Sequence, residues 1–363
     1  MWHPTGNSIL LVARGADPIG TGREVEVAAT ALAASGGQVH VALTSAVGSL
    51  SDRLAACGIT VHEIGRRSRP DAAMVGRLAD VIRLVQPVTV LSFGRPQAVA
   101  SAIATRLRVS RRQRPRLVCR VAVAPRTLTE AWAVTRADRV LASSEHVAEA
   151  CRKAGVAKHR LDTTGPVAVA ACSGAVTREK VAERLRLDPG KIWSLCVAPL
   201  VAQSRLDRLL WAIDQLGVVR RDVEHVLVGS GPQLRRLRRR ARVQHLAERL
   251  RIVPSCECLP DLLREVRFVW QSGEVALGGA LFDAMAAGRP TVAVDSEAAR
   301  QAIVDGETGW IVPPLPESEF PRRAFSLIED DAVASRFGVA AQERAATHFS
   351  SDRFVFQLLA AVE

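Results

Sequence analysis

The chain has 363 residues, 48% of them hydrophobic and 24% charged, ordinary globular usage that excludes wholesale disorder and leaves room for two packed domains. Its formal net charge is +12, and with lysine only at Lys153, Lys158, Lys180 and Lys191 that basicity is arginine, as either GC-rich coding or an anionic partner would produce. The longest apolar stretches, Ser8–Ala13 and Trp193–Ala202, fall well short of the roughly 20 residues of a membrane-spanning helix, and no basic stretch followed by a long apolar core announces a signal peptide.

In chain order, short β-branched runs alternate with segments of helical period, which predicts βα units and parallel sheets. The first set of strands is expected at Ile9–Ala13, Gln38–Leu43, Thr60–Ile64, Val88–Phe93, Leu117–Val121 and Arg139–Ala142, with helices such as Gly22–Ala34 and Arg95–Arg106 between them. Glycines punctuate the turns, as in Ser35-Gly36-Gly37 and Cys57-Gly58. Gly165–Thr177 is rich in small residues and aperiodic, and reads as a linker before a helix at Arg178–Leu187. A second set of strands follows at Trp193–Val197, Glu224–Val228, Arg251–Val253, Phe268–Trp270, Thr291–Val294 and Trp310–Val312. The expected fold class is therefore α/β, two Rossmann-like domains of similar size whose parallel sheets face an interdomain cleft, the place where open α/β sheets bind ligands. The domains are drawn as 1–170, a linker and entry helix over 171–190, and 191–348. The remaining stretch, 349–363, contains an amphipathic helix at Asp352–Val362 suited to packing back on the first domain.

Seven cysteines are scattered without a CxxC; Cys256 and Cys258 are the one close pair, with no histidine at zinc-ligand spacing. Buried, reduced cysteines of a cytoplasmic protein are expected. None of the eight histidines has a motif context, so satisfied or surface positions are expected for each. Two arginine runs stand out. Arg106–Arg116 is aperiodic, contains Pro115 and reads as a loop. In Arg235–Arg242, with Leu234, Leu237 and Ala241 on one face, a solvated helix face is expected.

The chemistry concentrates between Val226 and Val312. Gly229 and Gly231, in VLVGSGP, follow a strand, where the lack of a Cβ lets the backbone turn tightly and approach a ligand; an ordinary strand-to-helix turn is the plain alternative. Gly278 and Gly279 precede a helix expected from Ala280 to Ala287, whose free N–H groups and dipole favour a phosphate. Asp283, one turn into it, can accept two hydroxyl hydrogen bonds, as a ribose diol requires; a solvated helix position is the alternative.

These blocks, VLVGSGP (Val226–Pro232), GGALFDAMAAGRPTVAVD (Gly278–Asp295) and IVDGETGWIVPP (Ile303–Pro314), resemble glycosyltransferase family 4, the group 1 glycosyltransferases of the GT-B fold. That family carries G-x-G-P, E-x-F-G-x-x-x-x-E-A-M-A-x-G-x-P and D-G-x-x-G-x-L-V-x-P in the same order and spacing. Ala137–Val156 (ADRVLASSEHVAEACRKAGV) resembles its A-D-x-V-I-x-x-S segment, and the likeness is thin between Leu43 and Ala131. The resemblance implies a nucleoside-diphosphate sugar as co-substrate, no cofactor, no metal, and retention at the anomeric carbon. It places Asp283 on the ribose and a first acid on the donor sugar's hydroxyls. That acid should fall at Val275; Glu274 stands one residue early, and a one-residue slip in an extended segment turns a side chain the other way.

The family's G-R-L-x-x-x-K-G diphosphate clamp reads Ala198-Pro199-Leu200-Val201-Ala202-Gln203-Ser204-Arg205 here, with Pro199 and Ser204 at the cationic positions. Arg205, adjacent, is the surviving cation, while Gln203 and Ser204 offer weaker neutral hydrogen bonds. Gly20-Thr21-Gly22-Arg23-Glu24 resembles the G-G-x-E loop that faces donor phosphates and acceptor, and Arg120 and Arg126 come from the same side as candidates for an anionic acceptor. The family's histidine after the fourth strand is not evident.

The functional expectation is a cytoplasmic glycosyltransferase, with Glu274 and Arg205 as catalytic groups and Gly20, Gly22, Gly229, Gly231, Gly278, Gly279 and Asp283 binding donor or acceptor. The acceptor, a glycan, lipid or small molecule, is unknown. Peripheral contact with an acidic membrane surface is left open by the basic Arg106–Arg116 segment, and nucleic acid is disfavoured because no aromatic residues interleave the charge. The alternatives are a non-catalytic homologue that binds a nucleotide-sugar or a partner protein, and a nucleotide-sugar epimerase.

Overall fold

The alternating pattern is realised as two parallel sheets. A computed structural model describes residues 8–15, 21–45, 49–65, 72–107, 114–169, 176–273 and 280–362, and the chain divides into two compact units, Met1–Val167 with Ser351–Glu363, and Ala168–Ser350.

In the first unit the strands are β1 (Ser8–Ala13), β2 (Gln38–Leu43), β3 (Thr60–Glu63), β4 (Thr89–Phe93), β5 (Arg116–Val121), β6 (Arg139–Ala142) and β7 (Leu161–Thr163). They pair in parallel in the order β3-β2-β1-β4-β5-β6-β7. Both central strands, β1 and β4, are buried along their whole length, as expected where helices cover both faces of a parallel sheet. The three residues of β7, Leu-Asp-Thr, were not anticipated: too short and too exposed for a periodic signal, they form a strand by pairing with β6. The expected helix at Arg95–Arg106 ends at Ala104, with Thr105 as its C-cap. Helix Leu128–Thr135 starts with a capping box between Thr127 and Glu130, and Ser144 caps Glu145–Lys153. The last helix, Ser351–Val362, packs on helix Thr21–Ala34 within this unit, and Arg116 donates to the carbonyl of Val362 at 3.2 Å.

The second unit contains β8 (Ile192–Val197), β9 (Val223–Val228), β10 (Leu250–Val253), β11 (Phe268–Gln271), β12 (Thr291–Val294) and β13 (Gly309–Val312). They are parallel in the order β10-β9-β8-β11-β12-β13. Helix Arg178–Leu185, grouped above with the linker, belongs to this unit. Its Arg178 lies 3.7 Å from the ring centroid of the buried Trp193 and donates to the carbonyls of Pro189, Lys191 and Glu265. On one face of the sheet Trp270 packs edge-on against Phe268 and Phe320, at 5.0 and 4.7 Å; each such pair is worth roughly 0.5–1.5 kcal/mol beyond its buried area. Buried His225 is a satisfied core histidine: Trp270 donates to Ser194 Oγ at 2.9 Å, which leaves the serine proton for His225 Nδ1 at 2.6 Å. Among the described cysteines Cys57 is exposed, contrary to expectation, while Cys119, Cys151, Cys196 and Cys258 are buried.

Candidate functional site

At the carboxyl end of sheet β8–β13, the segment from Ala198 to Arg205 leaves β8 and is gripped from both sides by backbone. Ala198 N donates to Val228 O and Leu200 N to Ser230 O, and Gln233 N returns to Leu200 O. The two motif glycines make this approach possible. A Cβ on Gly229 would stand 1.9 Å from Ala198 O, and one on Gly231 2.6 Å from Leu200 O, with Gly231 at φ +153°. Their immediate neighbour is therefore the chain's own backbone.

Gly273 completes the grip from the β11 side and was missed in the sequence. Its Cβ would lie 2.4 Å from Gln203 O and 2.5 Å from Ser204 C, and Ser272 Oγ donates to Ser204 O at 2.8 Å. The available signal was Ser272-Gly273 directly after a strand, weak because nothing in sequence says what lies opposite it. Between these walls is a small cavity lined by, among others, Ser204, Gln271, Ser272 and Gly273, about 20 Å³ by the space open to a water centre, enough for one water.

Ser204 does not project as a neutral donor. It is 1% exposed and its hydroxyl hydrogen bonds to Pro199 O at 2.5 Å, so that expectation is corrected by the segment's own turn. Arg205 differs: it is exposed, N-caps helix Leu206–Val219 in a left-handed conformation (φ 48°, ψ 38°), and among the described residues no ion pair engages its guanidinium. An exposed cation with no ion-pair partner among the described residues, at the carboxyl end of a parallel sheet, suits a phosphate.

Asp283 lies in helix Ala280–Ala286, one residue shorter than expected, and is 2% exposed, which removes the solvated alternative. Its Oδ1 accepts from Val169 N at 3.0 Å, while Ala168 N donates to Phe349 O at 2.7 Å. The carboxylate thus helps hold the chain where it enters the second unit, and a carboxylate has about four acceptor positions. Glu274, Gly278 and Gly279 lie outside the described residues. The later Asp305-Gly306 turn is internally engaged: Asp305 Oδ1 accepts from Ile311 N at 2.8 Å, and Gly306 N donates to Gly309 O.

In the first unit Gly20 lies outside the described residues, and Gly22 is buried in the first turn of helix Thr21–Ala34 rather than in a loop. Glu24, on the same helix, receives Arg120 in a two-pronged ion pair, Nε and Nη2 at 3.2 and 3.0 Å. Arg120 is 1% exposed, also donates to Gly165 O, and lies 5.8 Å from the Phe354 ring centroid. The structure therefore corrects its candidacy as an acceptor-binding group: the fold uses it to tie β5, helix Thr21–Ala34 and the final helix together. Arg126 remains exposed, with its backbone N–H on Glu130. Of the Arg106–Arg116 run, residues 108–113 lie outside the described residues; Arg106 donates to Ala102 O, Arg114 to Thr105 O and Arg116 to Val362 O.

Residues 193–330 match the family model described as Glycosyl transferases group 1. A curated relative, the alpha-D-kanosaminyltransferase of Streptomyces kanamyceticus, is 28% identical over 176 residues, 48% of this chain and 45% of the relative. The aligned stretch thus spans less than half of that relative's length. Among solved structures, HepE of Anabaena in complex with UDP-glucose superposes with a TM-score of 0.83 at 19% identity, covering 98% of this chain and 99% of that one. A glycosyltransferase from Rickettsia africae gives 0.79 at 15% identity, with 98% of both chains covered. Sucrose-phosphate synthase from Thermosynechococcus elongatus gives 0.76 at 16%, again with 98% of both. The two parallel-sheet domains are thus those of the GT-B fold.

Proposed function

We propose that the chain, whose residues 193–330 match the family model described as Glycosyl transferases group 1, transfers a sugar from a nucleoside-diphosphate sugar to an acceptor hydroxyl. The observation that carries the reading is the occurrence of all three motif blocks, in order, within or beside that matched stretch. UDP-sugars are the first donors to test, since the superposable HepE was solved with UDP and with UDP-glucose.

In this reading Asp283 binds the ribose and Glu274 the donor sugar's hydroxyls, and Gly20, Gly22, Gly229, Gly231, Gly278 and Gly279 are assigned to main-chain contact with phosphate or sugar, Gly229 and Gly231 through the segment they also let pass. The bond from the anomeric carbon to the diphosphate breaks, and the acceptor oxygen bonds to the same face of that carbon. The acceptor's proton passes to a donor phosphate oxygen, so retention requires neither a metal nor a histidine. Arg205 opposes the charge that develops on the leaving diphosphate, a contribution of roughly 3 kcal/mol for one well-placed donor.

A melting-temperature panel of UDP, GDP and ADP with their sugars, followed by assay of donor hydrolysis with and without EDTA, tests this. Stabilisation by one nucleotide and EDTA-resistant turnover are expected; no shift with any of them would remove the donor-binding reading. Asp283→Asn, which keeps an acceptor for Val169 N, is expected to weaken nucleotide binding about tenfold with little loss of stability. Unchanged affinity would remove the ribose assignment. One observation favours a second reading, a non-catalytic nucleotide-sugar binder: Ser204 is buried and bonded to Pro199 O, and neither residue supplies the charge of the family's clamp. Saturable binding without hydrolysis or transfer would select it.

A further inference from the structure

We propose that helix Leu234–Val243 is a docking face for an anionic lipid bilayer. Its sequence, LRRLRRRARV, contains no acidic residue. Leu237 and Ala241 are buried in the core of the second unit. Arg236 and Arg240, on one flank, share Asp207 of the preceding helix as their partner. On the face opposite the core, Arg235, Arg239 and Arg242 are exposed at spacings of four and three, one continuous stripe. Among the described residues no ion pair engages any of the three. Arg238, beside them, makes one long contact of 3.4 Å to Ile252 O.

This arrangement is unfavourable for the helix itself. Like charges four residues apart repel, and Arg235 sits in the first turn, where the helix dipole already places positive potential. Nothing on the described chain offsets that stripe, whereas an array of lipid phosphates would. Exposed apolar side chains select a bilayer over a soluble polyanion. Val243 closes the stripe at 70% exposure, and Val218 and Val219 end helix Leu206–Val219 at 75% and 63%. Both helices connect parallel strands and run back along them, so these valines, at the helices' carboxyl ends, lie toward the amino ends of the strands. Arginines spread along one helix face with small exposed apolar side chains toward one end match a headgroup layer above an acyl boundary. The helix has no aromatic side chain on which bases could stack.

The test is sedimentation of the full chain with vesicles containing about 30% phosphatidylglycerol in phosphatidylcholine, against phosphatidylcholine alone. Binding to the anionic vesicles only is expected, falling as salt rises from about 0.1 to about 0.5 M. Each arginine contributes roughly fivefold, so the combined variant Arg235→Gln, Arg239→Gln, Arg242→Gln should partition about a hundredfold more weakly, with a melting temperature equal to or above the parent's because like-charge repulsion is relieved. Val218→Ser with Val243→Ser should weaken binding and leave its salt dependence intact. Equal binding by the triple variant, binding to phosphatidylcholine alone, or salt-sensitive binding of duplex or single-stranded nucleic acid through these arginines without vesicle binding would each overturn the proposal. It stands apart from the donor reading, since neither measurement uses a nucleotide.

Discussion

Arg205 combines two properties that one substitution alters in opposite directions. Its left-handed backbone (φ 48°) is one that a β-carbon disfavours by about 1 kcal/mol, and its side chain is the exposed cation beside the proposed diphosphate site. Arg205→Gly is therefore expected to raise stability by up to about 1 kcal/mol while weakening nucleoside-diphosphate affinity about tenfold; urea denaturation and nucleotide titration read the two effects independently. His225 makes a second residue-scale prediction. Burial pushes it down to about 3, with Arg249 nearby acting in the same direction. Above pH 6.5 neither folded nor unfolded chain is charged there. Between 6.5 and about 3 only the unfolded chain takes up the proton, so stability is lost as the pH is lowered through that window. His40 and His62, stacked with ring nitrogens 3.2 Å apart, are lowered by burial as well, His62 also by His40, and add the same sign. Between pH 7 and 5 a loss of ~2 kcal/mol from His225 is expected in urea midpoints, and His225→Gln should flatten that slope.

Among the elements, the glycines decide where loops and helices can meet. Gly229, Gly231 and Gly273 let the Ala198–Arg205 segment run against two other backbones, with β-carbon clearances of 1.9–2.6 Å that no other residue could occupy without moving main chain. Elsewhere in the same unit, Gly338 in helix Asp331–His348 would place a Cβ 2.3 Å from Gly288 O, and Gly288 itself takes φ +68° to end helix Ala280–Ala286. Alanine at Gly273 or Gly338 should cost about 1–3 kcal/mol by overpacking. The two should differ in function: Gly273→Ala displaces the segment that carries Arg205 and is expected to lower nucleotide affinity. Gly338→Ala acts on helix packing and should leave affinity within about twofold. Nucleotide titration beside chemical denaturation distinguishes them.

At the scale of the whole molecule, the matched family stretch and the motif blocks lie in one of the two compact units, 168–350. A nucleotide near a hundred times its Kd adds about 2.7 kcal/mol of stability to the unit that binds it, or several degrees in a domain of that size. Calorimetry with a saturating nucleotide is expected to move the melting of the unit containing Asp283, and Asp283→Asn to reduce that shift at a fixed ligand concentration. Equal shifts in the two proteins would count against a donor contact at Asp283.

Local sequence was enough for the α/β class and for all but one of the strands, because a strand buried on both faces must be continuously apolar and its connecting helices must repeat every 3.6 residues. It was enough also for the three family blocks, whose glycines and Asp283 keep the family spacing while Glu274 stands one residue early. Strand β7 escaped because its three residues acquire their conformation from pairing with β6. The use of the site's side chains was decided in three dimensions. Arg120 looked available until Glu24, 96 residues earlier in the chain, closed on it; Ser204 looked like a donor until its own turn took up the hydroxyl. Asp283, read as a ribose acceptor with a solvated helix position as the alternative, is buried and accepts from Val169 N–H. A sequence states which groups a chain carries, whereas their availability depends on neighbours distant along the chain, and a buried polar group is held by whichever neighbour satisfies it.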